Sequence, residues 1–154
     1  MTPNKINSYL FFQLPAAWWC GVRVKKLEAN SCQTTVKYRW INQNPFCSMY
    51  FAVQLMAAEL SSGALVMQKI RQSQTPLSML VAQQNSVYHK KITGRVFFSC
   101  QEGQVIDQAI QKAIQTGEGQ VFSLKSIGTN AMGELLTETE FIWTVKVKKT
   151  VTTS

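Results

Sequence analysis

The sequence PFCSMYFAVQLMAAELSSGALVMQ, residues 45–68, decides the fold of this chain. It contains one ionisable carboxylate, Glu59, within 24 residues. A helical stretch that is apolar on nearly every side, rather than along one stripe, is typical of a helix buried in a protein core. Asn44 and Pro45 stand at the positions of an N-cap and a first-turn proline. We therefore expect a buried helix from Asn44 to Lys69.

Glu59 is the most informative residue, because charged side chains are seldom fully buried unless they are paired or used in chemistry. Two structural explanations stay open: a hydrogen-bonded core carboxylate, or a shorter helix that leaves Glu59 on an exposed edge. A membrane span is a third alternative, since about 20 apolar residues cross a bilayer. Polar groups are expensive inside a bilayer, which argues against a span. Four of them lie near the centre of the stretch: Gln54, Glu59, Ser61 and Ser62.

Length and charge set the broad class of the protein. A chain of 154 residues is expected to fold as one domain, residues 1–154, with a core of its own. Sixteen Lys and Arg against eight acids give a net charge of +8. This charge is compatible with an anionic partner, such as a phosphate-bearing cofactor, nucleic acid or an acidic surface. The densest basic groups alternate with apolar residues, as on the solvated face of a strand: Arg23, Lys25 and Lys26, and Lys146, Lys148 and Lys149.

The cysteines do not indicate a metal site. Cys20, Cys32, Cys47 and Cys100 have none of the close spacings of metal ligands, and His89 is the single histidine. We expect reduced thiols in a cytoplasmic protein, and no metal. Cys47 is expected to have a packing role and His89 a place on a strand surface, rather than catalytic roles.

Hydrophobic periodicity predicts the other elements. Glutamine, proline and two tryptophans interrupt the apolar run at residues 9–21, so we interpret it as folded protein rather than a signal peptide. The predicted elements are a short amphipathic helix over 4–14, strands over 22–30 and 34–40, the buried helix, strands over 78–92 and 95–100, a surface helix over 104–116, and strands over 121–129 and 135–147. Strands 22–30 and 34–40, and strands 78–92 and 95–100, are expected to form hairpins. An antiparallel sheet curled around one apolar helix, an α+β fold, explains why that helix lacks a polar face.

The sequence resembles hotdog-fold proteins, in which a curved antiparallel sheet wraps a long central helix. Three segments carry the resemblance, which covers most of the chain. The first is the entry from Asn44 into an apolar helix with one acid, Glu59, and the second is YHKKITGRV at 88–96. The third, FFQLPAAWWCGVRVKKLEA at 11–29, is similar to an uncharacterised branch of thioesterase-like hotdog proteins.

Similarity to acyl-CoA thioesterases of the phenylacetate-pathway type implies roles for several residues. Glu59 would be catalytic, activating water or attacking the thioester, and Asn44 would lie at the substrate. Tyr50 and Phe51 stand where that family has a His-Gly pair whose backbone amide polarises the thioester carbonyl. Ser62 lies within a turn of Glu59 and is a further candidate for substrate binding. A carboxylate in an apolar helix has a raised pKa, which suits a general base.

Lys90, Lys91 and Arg95 flank Gly94 near the position where related folds turn towards the nucleotide, so they are candidates for binding the phosphates of coenzyme A. A solvated strand is the structural alternative for each of them. No cofactor is expected besides the coenzyme A of the thioester. Because hotdog proteins pair their sheets edge to edge, the resemblance also implies a homo-oligomer, a dimer or a tetramer.

Two functions remain open at this stage. The first is an acyl-CoA thioesterase, and the second is a non-catalytic acyl-chain or acyl-CoA binding protein, which Phe51 in place of a glycine favours. Nucleic-acid binding rests on charge alone, and the chain lacks the interleaved aromatic and basic residues of single-strand binders.

Overall fold

The computed structural model describes residues 1–148, and Lys149 of the second basic group lies outside them. The helices are α1 (Pro3–Gln13), α2 (Pro15–Trp19), α3 (Phe51–Ser73) and α4 (Gly103–Thr116). The strands are β1 (Arg23–Leu27), β2 (Cys32–Lys37), β3 (Leu77–Tyr88), β4 (Arg95–Cys100), β5 (Gln120–Thr129) and β6 (Leu135–Val147). A short 3-10 helix spans Trp40–Asn42.

The six strands form one antiparallel sheet in the order β1-β2-β4-β5-β6-β3. Helix α3 packs against five of them, β1, β2, β4, β5 and β6. The predicted α+β hotdog fold, a curved antiparallel sheet around a long central helix, is therefore confirmed.

Helix α3 is buried along most of its length because its core-facing residues are apolar or small. Ala57, Ala64 and Leu65 are among its fully buried residues. Small side chains let the sheet approach closely enough for polar contacts between layers. The Thr34 hydroxyl of β2 donates to the main-chain oxygen of Ala57 at 2.6 Å. No helix within residues 1–148 is long and apolar enough to cross a bilayer.

The start of α3 differs from the prediction. The helix begins at Phe51 and not at Asn44, and it ends at Ser73, beyond Lys69. Asn44 holds the preceding loop instead, since its side-chain oxygen accepts from the main-chain N–H groups of Phe46, at 2.9 Å, and Ser48, at 3.2 Å. An Asn-Pro pair can serve either an N-cap or a turn of this kind. Here it serves the turn.

Strand pairing also corrects one prediction. Strands β3 and β4 do not form a hairpin, because β3 pairs with β6 while β4 lies between β2 and β5. The connection at 89–94 can bridge the two intervening strands, since six extended residues span about 20 Å and three strand spacings are about 14 Å. The β1-β2 hairpin is confirmed.

Two predictions in the N-terminal half were also wrong. Strand β2 ends at Lys37, and Trp40, predicted as the last residue of this strand, is 82% exposed in the 3-10 helix. A second helix, α2, occupies Pro15–Trp19, where the sequence analysis predicted only an interrupted apolar run. Pro15 lies at its first turn, a position where the missing N–H costs nothing.

The two edges of the sheet are different. Helix α1 packs along β1, and the Asn7 side chain donates to the main-chain oxygen of Val24 at 3.0 Å and accepts from its N–H at 2.8 Å. Strand β3 forms the opposite edge, pairs only with β6 in the described chain, and has no charged residue in the sequence LSMLVAQQNSVY. The open edge of the sheet is therefore long and uncharged.

Candidate functional site

Glu59 lies half-buried in the middle of α3. Within residues 1–148 no hydrogen-bond donor reaches its carboxylate, so it is not the satisfied core group that one alternative expected. Burial raises its pKa from 4.5 to about 6. The carboxylate therefore takes up a proton closer to neutral pH than an exposed glutamate does, and no hydrogen-bond partner in the described chain fixes that proton.

The surroundings of Glu59 are formed by Gly63, one turn further along α3, and by Trp143 of β6. A Cβ atom at Gly63 would lie 2.8 Å from the Oε1 atom of Glu59 and 3.2 Å from the Trp143 ring. A larger residue at Gly63 would therefore displace the carboxylate, the ring or both. Glycine keeps open the space that the carboxylate occupies.

Ser62 holds Trp143 in this arrangement. Its hydroxyl donates to the main-chain oxygen of Glu59 at 3.0 Å and accepts from the Nε1–H of Trp143 at 3.1 Å. Ser62 is fully buried. The hydroxyl thus ties the indole to the backbone of α3 beside Glu59.

A cleft of about 520 Å³ lies at the start of α3. It brings together five of the predicted binding residues: Asn44, Tyr50, Phe51, Lys90 and Lys91. The rings of Tyr50 and Phe51 are about half exposed and meet edge to face, with centroids 5.0 Å apart. Tyr88 extends this aromatic wall, 6.2 Å from Phe51. We refer to it as the helix-start cleft.

Backbone donors are available at the helix-start cleft. Tyr50 precedes α3 without a side-chain cap, and its main-chain oxygen accepts from Val53 and Gln54. The N–H groups of Phe51 and Ala52 have no hydrogen-bond partner within residues 1–148. Free amides at the positive end of a helix dipole are suited to an anion or to a developing oxyanion.

Gln54 is a site residue that the sequence did not single out. It lines the helix-start cleft, and its side-chain amide donates to the main-chain oxygen of Met49 at 3.0 Å. Its Oε1 atom is buried and accepts no hydrogen bond in the described part of the protein. Unsatisfied buried oxygens are uncommon and need a partner. The only signal in the sequence was an uncharged polar residue inside an apolar helix.

A second cleft of about 370 Å³ adjoins the first and shares Lys90 and Lys91 with it. It also contains Arg95, so the three predicted phosphate-binding residues lie together. Lys90 is paired with Glu134, and this hydrogen bond lowers the pKa of the Glu134 carboxyl. Lys91 and Arg95 take part in no ion pair within residues 1–148. They are the cations that remain free for an anionic ligand.

Glu59 is separated from the helix-start cleft. It lies eight residues after Phe51, which corresponds to about 12 Å along the helix axis. Trp143, beside Glu59, is paired with Val81 of the open edge strand β3. Within one chain, therefore, the carboxylate and the free amides are too far apart to act on a single carbonyl group.

The two remaining candidates, Cys47 and His89, have different surroundings. The packing role expected of Cys47 is wrong, because its side chain is exposed in the loop before α3, where its φ angle is 56°. The Nε2 atom of His89 lies 2.7 Å from the carboxylate of Glu138 on the neighbouring strand β6. Within residues 1–148, no group of three His, Cys, Asp or Glu side chains could hold a metal ion.

Solved structures with the same fold include several thioesterases. A Pseudomonas aeruginosa protein of unknown function, described as a probable thioesterase, aligns with a TM-score of 0.81 at 20% identity, covering 95% of this chain and 97% of its own. A protein of unknown function from Chlorobaculum tepidum aligns with a TM-score of 0.81 at 14% identity, with 96% and 98% covered. A thioesterase from Haemophilus influenzae aligns with a TM-score of 0.72 at 10% identity, with 96% and 92% covered.

At the level of sequence, a search of curated proteins gave no significant match. One family model matches residues 4–145, from the first helix into β6, two residues before that strand ends. The match covers most of the chain and includes both clefts and Glu59. The chain therefore belongs to the family described as Domain of unknown function (DUF4442), with the fold of thioesterase-like hotdog proteins.

Proposed function

We propose that this protein is an acyl-CoA thioesterase in which Glu59 is the catalytic base. The observation that carries the proposal is a half-buried carboxylate with no hydrogen-bond partner in the described chain and a pKa raised to about 6. A purely structural glutamate in a core is normally hydrogen-bonded or paired. A base with this pKa is ionised at neutral pH and can still take up a proton during the reaction.

The proposed reaction is hydrolysis of the thioester bond. Glu59 accepts a proton from a water molecule while the water oxygen attacks the carbonyl carbon. The free amides of Phe51 and Ala52 stabilise the negative charge that develops on the carbonyl oxygen. The C–S bond then breaks, the coenzyme A thiolate leaves and takes up the proton held by Glu59, and the carboxylic acid is released.

This mechanism requires two copies of the chain, because Glu59 and the amides of one chain lie about 12 Å apart. We propose a homodimer that pairs along β3, since a long uncharged edge strand is otherwise exposed to unwanted pairing. In a two-fold dimer each copy contributes the same surface. Glu59 of one protomer, beside β6 and near β3, can then act with the helix start of its partner.

The clefts suggest how coenzyme A would be held. Lys91 and Arg95 supply positive charge for its phosphates, and the adjoining wall of Tyr50 and Phe51 offers faces and edges for stacking the adenine ring.

The direct test is the turnover of a panel of acyl-CoA thioesters by the wild type and by Glu59→Gln. We expect the variant to bind acyl-CoA as the wild type does and to lose about 10²- to 10⁴-fold in kcat. In the wild type, kcat/KM should rise with pH through about 6 and then level off, because the base must be ionised. Glu118→Gln, which removes an exposed carboxylate on the loop between α4 and β5, is the matched control. Undiminished turnover in Glu59→Gln would refute the assignment.

A non-catalytic acyl-CoA binding protein is the second candidate. The observation in its favour is Phe51, whose large side chain stands at the helix start, where a thioester would have to approach the backbone. Tight binding of acyl-CoA by the wild type without hydrolysis across a range of chain lengths would select this function. Hydrolysis restored by Phe51→Gly would then identify the aromatic ring as the obstruction.

A further inference from the structure

A third cavity, of about 700 Å³, lies at the opposite end of α3 from the helix-start cleft. It is open to solvent, is lined by α1, the last turns of α3 and the beginning of β3, and shares no lining residue with the two clefts. Its volume is within the range of small-molecule sites, about 300–1,000 Å³. The mechanism proposed above makes no use of it.

The interior of this cavity is apolar. Ile6 of α1 and Leu77 of β3 are buried residues of its wall. Met67 of α3 and Met79 of β3 are half-buried and line it between them. Methionine side chains are flexible and polarisable, so they adapt to a chain of variable shape. These walls favour a hydrocarbon chain over a polar ligand.

The charged residues of the cavity are both basic. Lys5 of α1 and Arg71 of α3 are exposed, which places them at the mouth, and the wall contains no acidic residue. Neither takes part in an ion pair within residues 1–148. The C-terminal end of α3 opposes an anion with about half an elementary charge, whereas the two side chains supply two full positive charges. The net field at the mouth is therefore positive.

We propose that this cavity binds a long-chain fatty acid, with its hydrocarbon chain among the methionines and its carboxylate between Lys5 and Arg71. The site is separate from the chemistry of the proposed thioesterase reaction, since none of its residues is assigned to that chemistry. Two of them, Leu77 and Met79, belong to β3, the strand along which we propose the dimer to pair. The positive mouth distinguishes a carboxylate from a neutral lipid of the same length. The apolar wall distinguishes a long chain from a short one.

The binding test uses palmitate, octanoate and hexadecanol, each competing with the fluorescent fatty acid cis-parinaric acid. Affinity should rise about fourfold for each methylene that enters the cavity, so palmitate should bind far more tightly than octanoate. The double variant Lys5→Gln/Arg71→Gln should weaken the binding of palmitate at least tenfold and change the affinity for hexadecanol little. Lys26→Gln/Lys112→Gln, which removes two exposed lysines on β1 and α4, is the charge-matched control and should have no effect.

A second pair of variants locates the hydrocarbon chain. Met67→Trp fills the cavity and should weaken the binding of palmitate and of hexadecanol alike. Met79→Trp serves the same purpose if the first variant does not fold. Absence of palmitate binding, or binding unchanged in all of these variants, would overturn the proposal. Loss of palmitate binding in Lys91→Gln would also overturn the proposal, because the fatty acid would then lie in the helix-start cleft. Palmitate affinity unchanged in Glu59→Gln is expected whether or not the thioesterase assignment is correct.

Discussion

Replacement of Glu59 by glutamine should stabilise the protein at neutral pH and leave its stability nearly unchanged in acid. Burial raises the pKa of Glu59 to about 6 from 4.5, a difference worth about 2 kcal/mol. A carboxyl whose pKa is higher in the folded protein favours folding below the unfolded pKa, because the folded state holds the proton more tightly. That contribution is lost as the pH rises from about 4.5 to about 6. Glutamine mimics the protonated form at every pH.

The expected result is therefore a variant about 2 kcal/mol more stable than the wild type at pH 8 and about equal to it at pH 4. Urea unfolding, followed by tryptophan fluorescence, measures both values. Glu118→Gln is exposed and should stay within about 0.5 kcal/mol of the wild type. The difference in the free energy of unfolding between Glu59→Gln and the wild type should depend on pH. If it is the same at pH 4 and pH 8, Glu59 is not held in a desolvated site.

Three further predictions concern packing and assembly. Asp107→Asn should destabilise the fold by about 1–3 kcal/mol, because the Lys69 ammonium, 2.6 Å from Asp107 and only 6% exposed, loses its counter-ion. Urea unfolding of this variant and of the Lys69→Met/Asp107→Asn double variant, which should recover stability, checks this prediction. Ser62→Ala should cost about 1–3 kcal/mol in the same assay, since the Trp143 N–H loses its acceptor, and an unchanged unfolding midpoint would contradict this. Light scattering should give a dimer for the wild type at micromolar concentration. Ala82→Pro, which places a proline at an irregularity of the open edge strand, should give a monomer. A monomeric wild type would argue against the proposed active site.

Elements with long and regular patterns were predictable from the sequence. The strict alternation of residues 135–147 gave the bounds of β6, because a strand covered on one face imposes period two along its whole length. The lack of a polar face on α3 likewise predicted a sheet on several sides of it. The start of that helix was not predictable, since Asn44 and Pro45 satisfy the rules of a cap and of a turn equally well.

The features of the fold and site that the sequence did not predict depend on contacts between residues distant in the sequence. Strands β3 and β4 look like a hairpin locally, and only the pairing of β6 with both β3 and β5 decides otherwise. The unsatisfied oxygen of Gln54 and the absence of a partner for Glu59 are properties of the packed structure. No sequence pattern reports a hydrogen bond that is not made.

The coverage of β1 by α1 limits how far the sheet can grow. The Asn7 side-chain amide occupies both the donor and the acceptor of Val24, as the next strand of a sheet would. A sheet with two open edges can add copies without end and form fibres, but a sheet with one open edge can pair only once. Asn7→Ala should therefore leave a second strand edge unpaired. The expected effect is polymerisation on storage at high concentration rather than a loss of folding. A single side-chain amide near the beginning of the chain thus has a share in keeping the protein in solution.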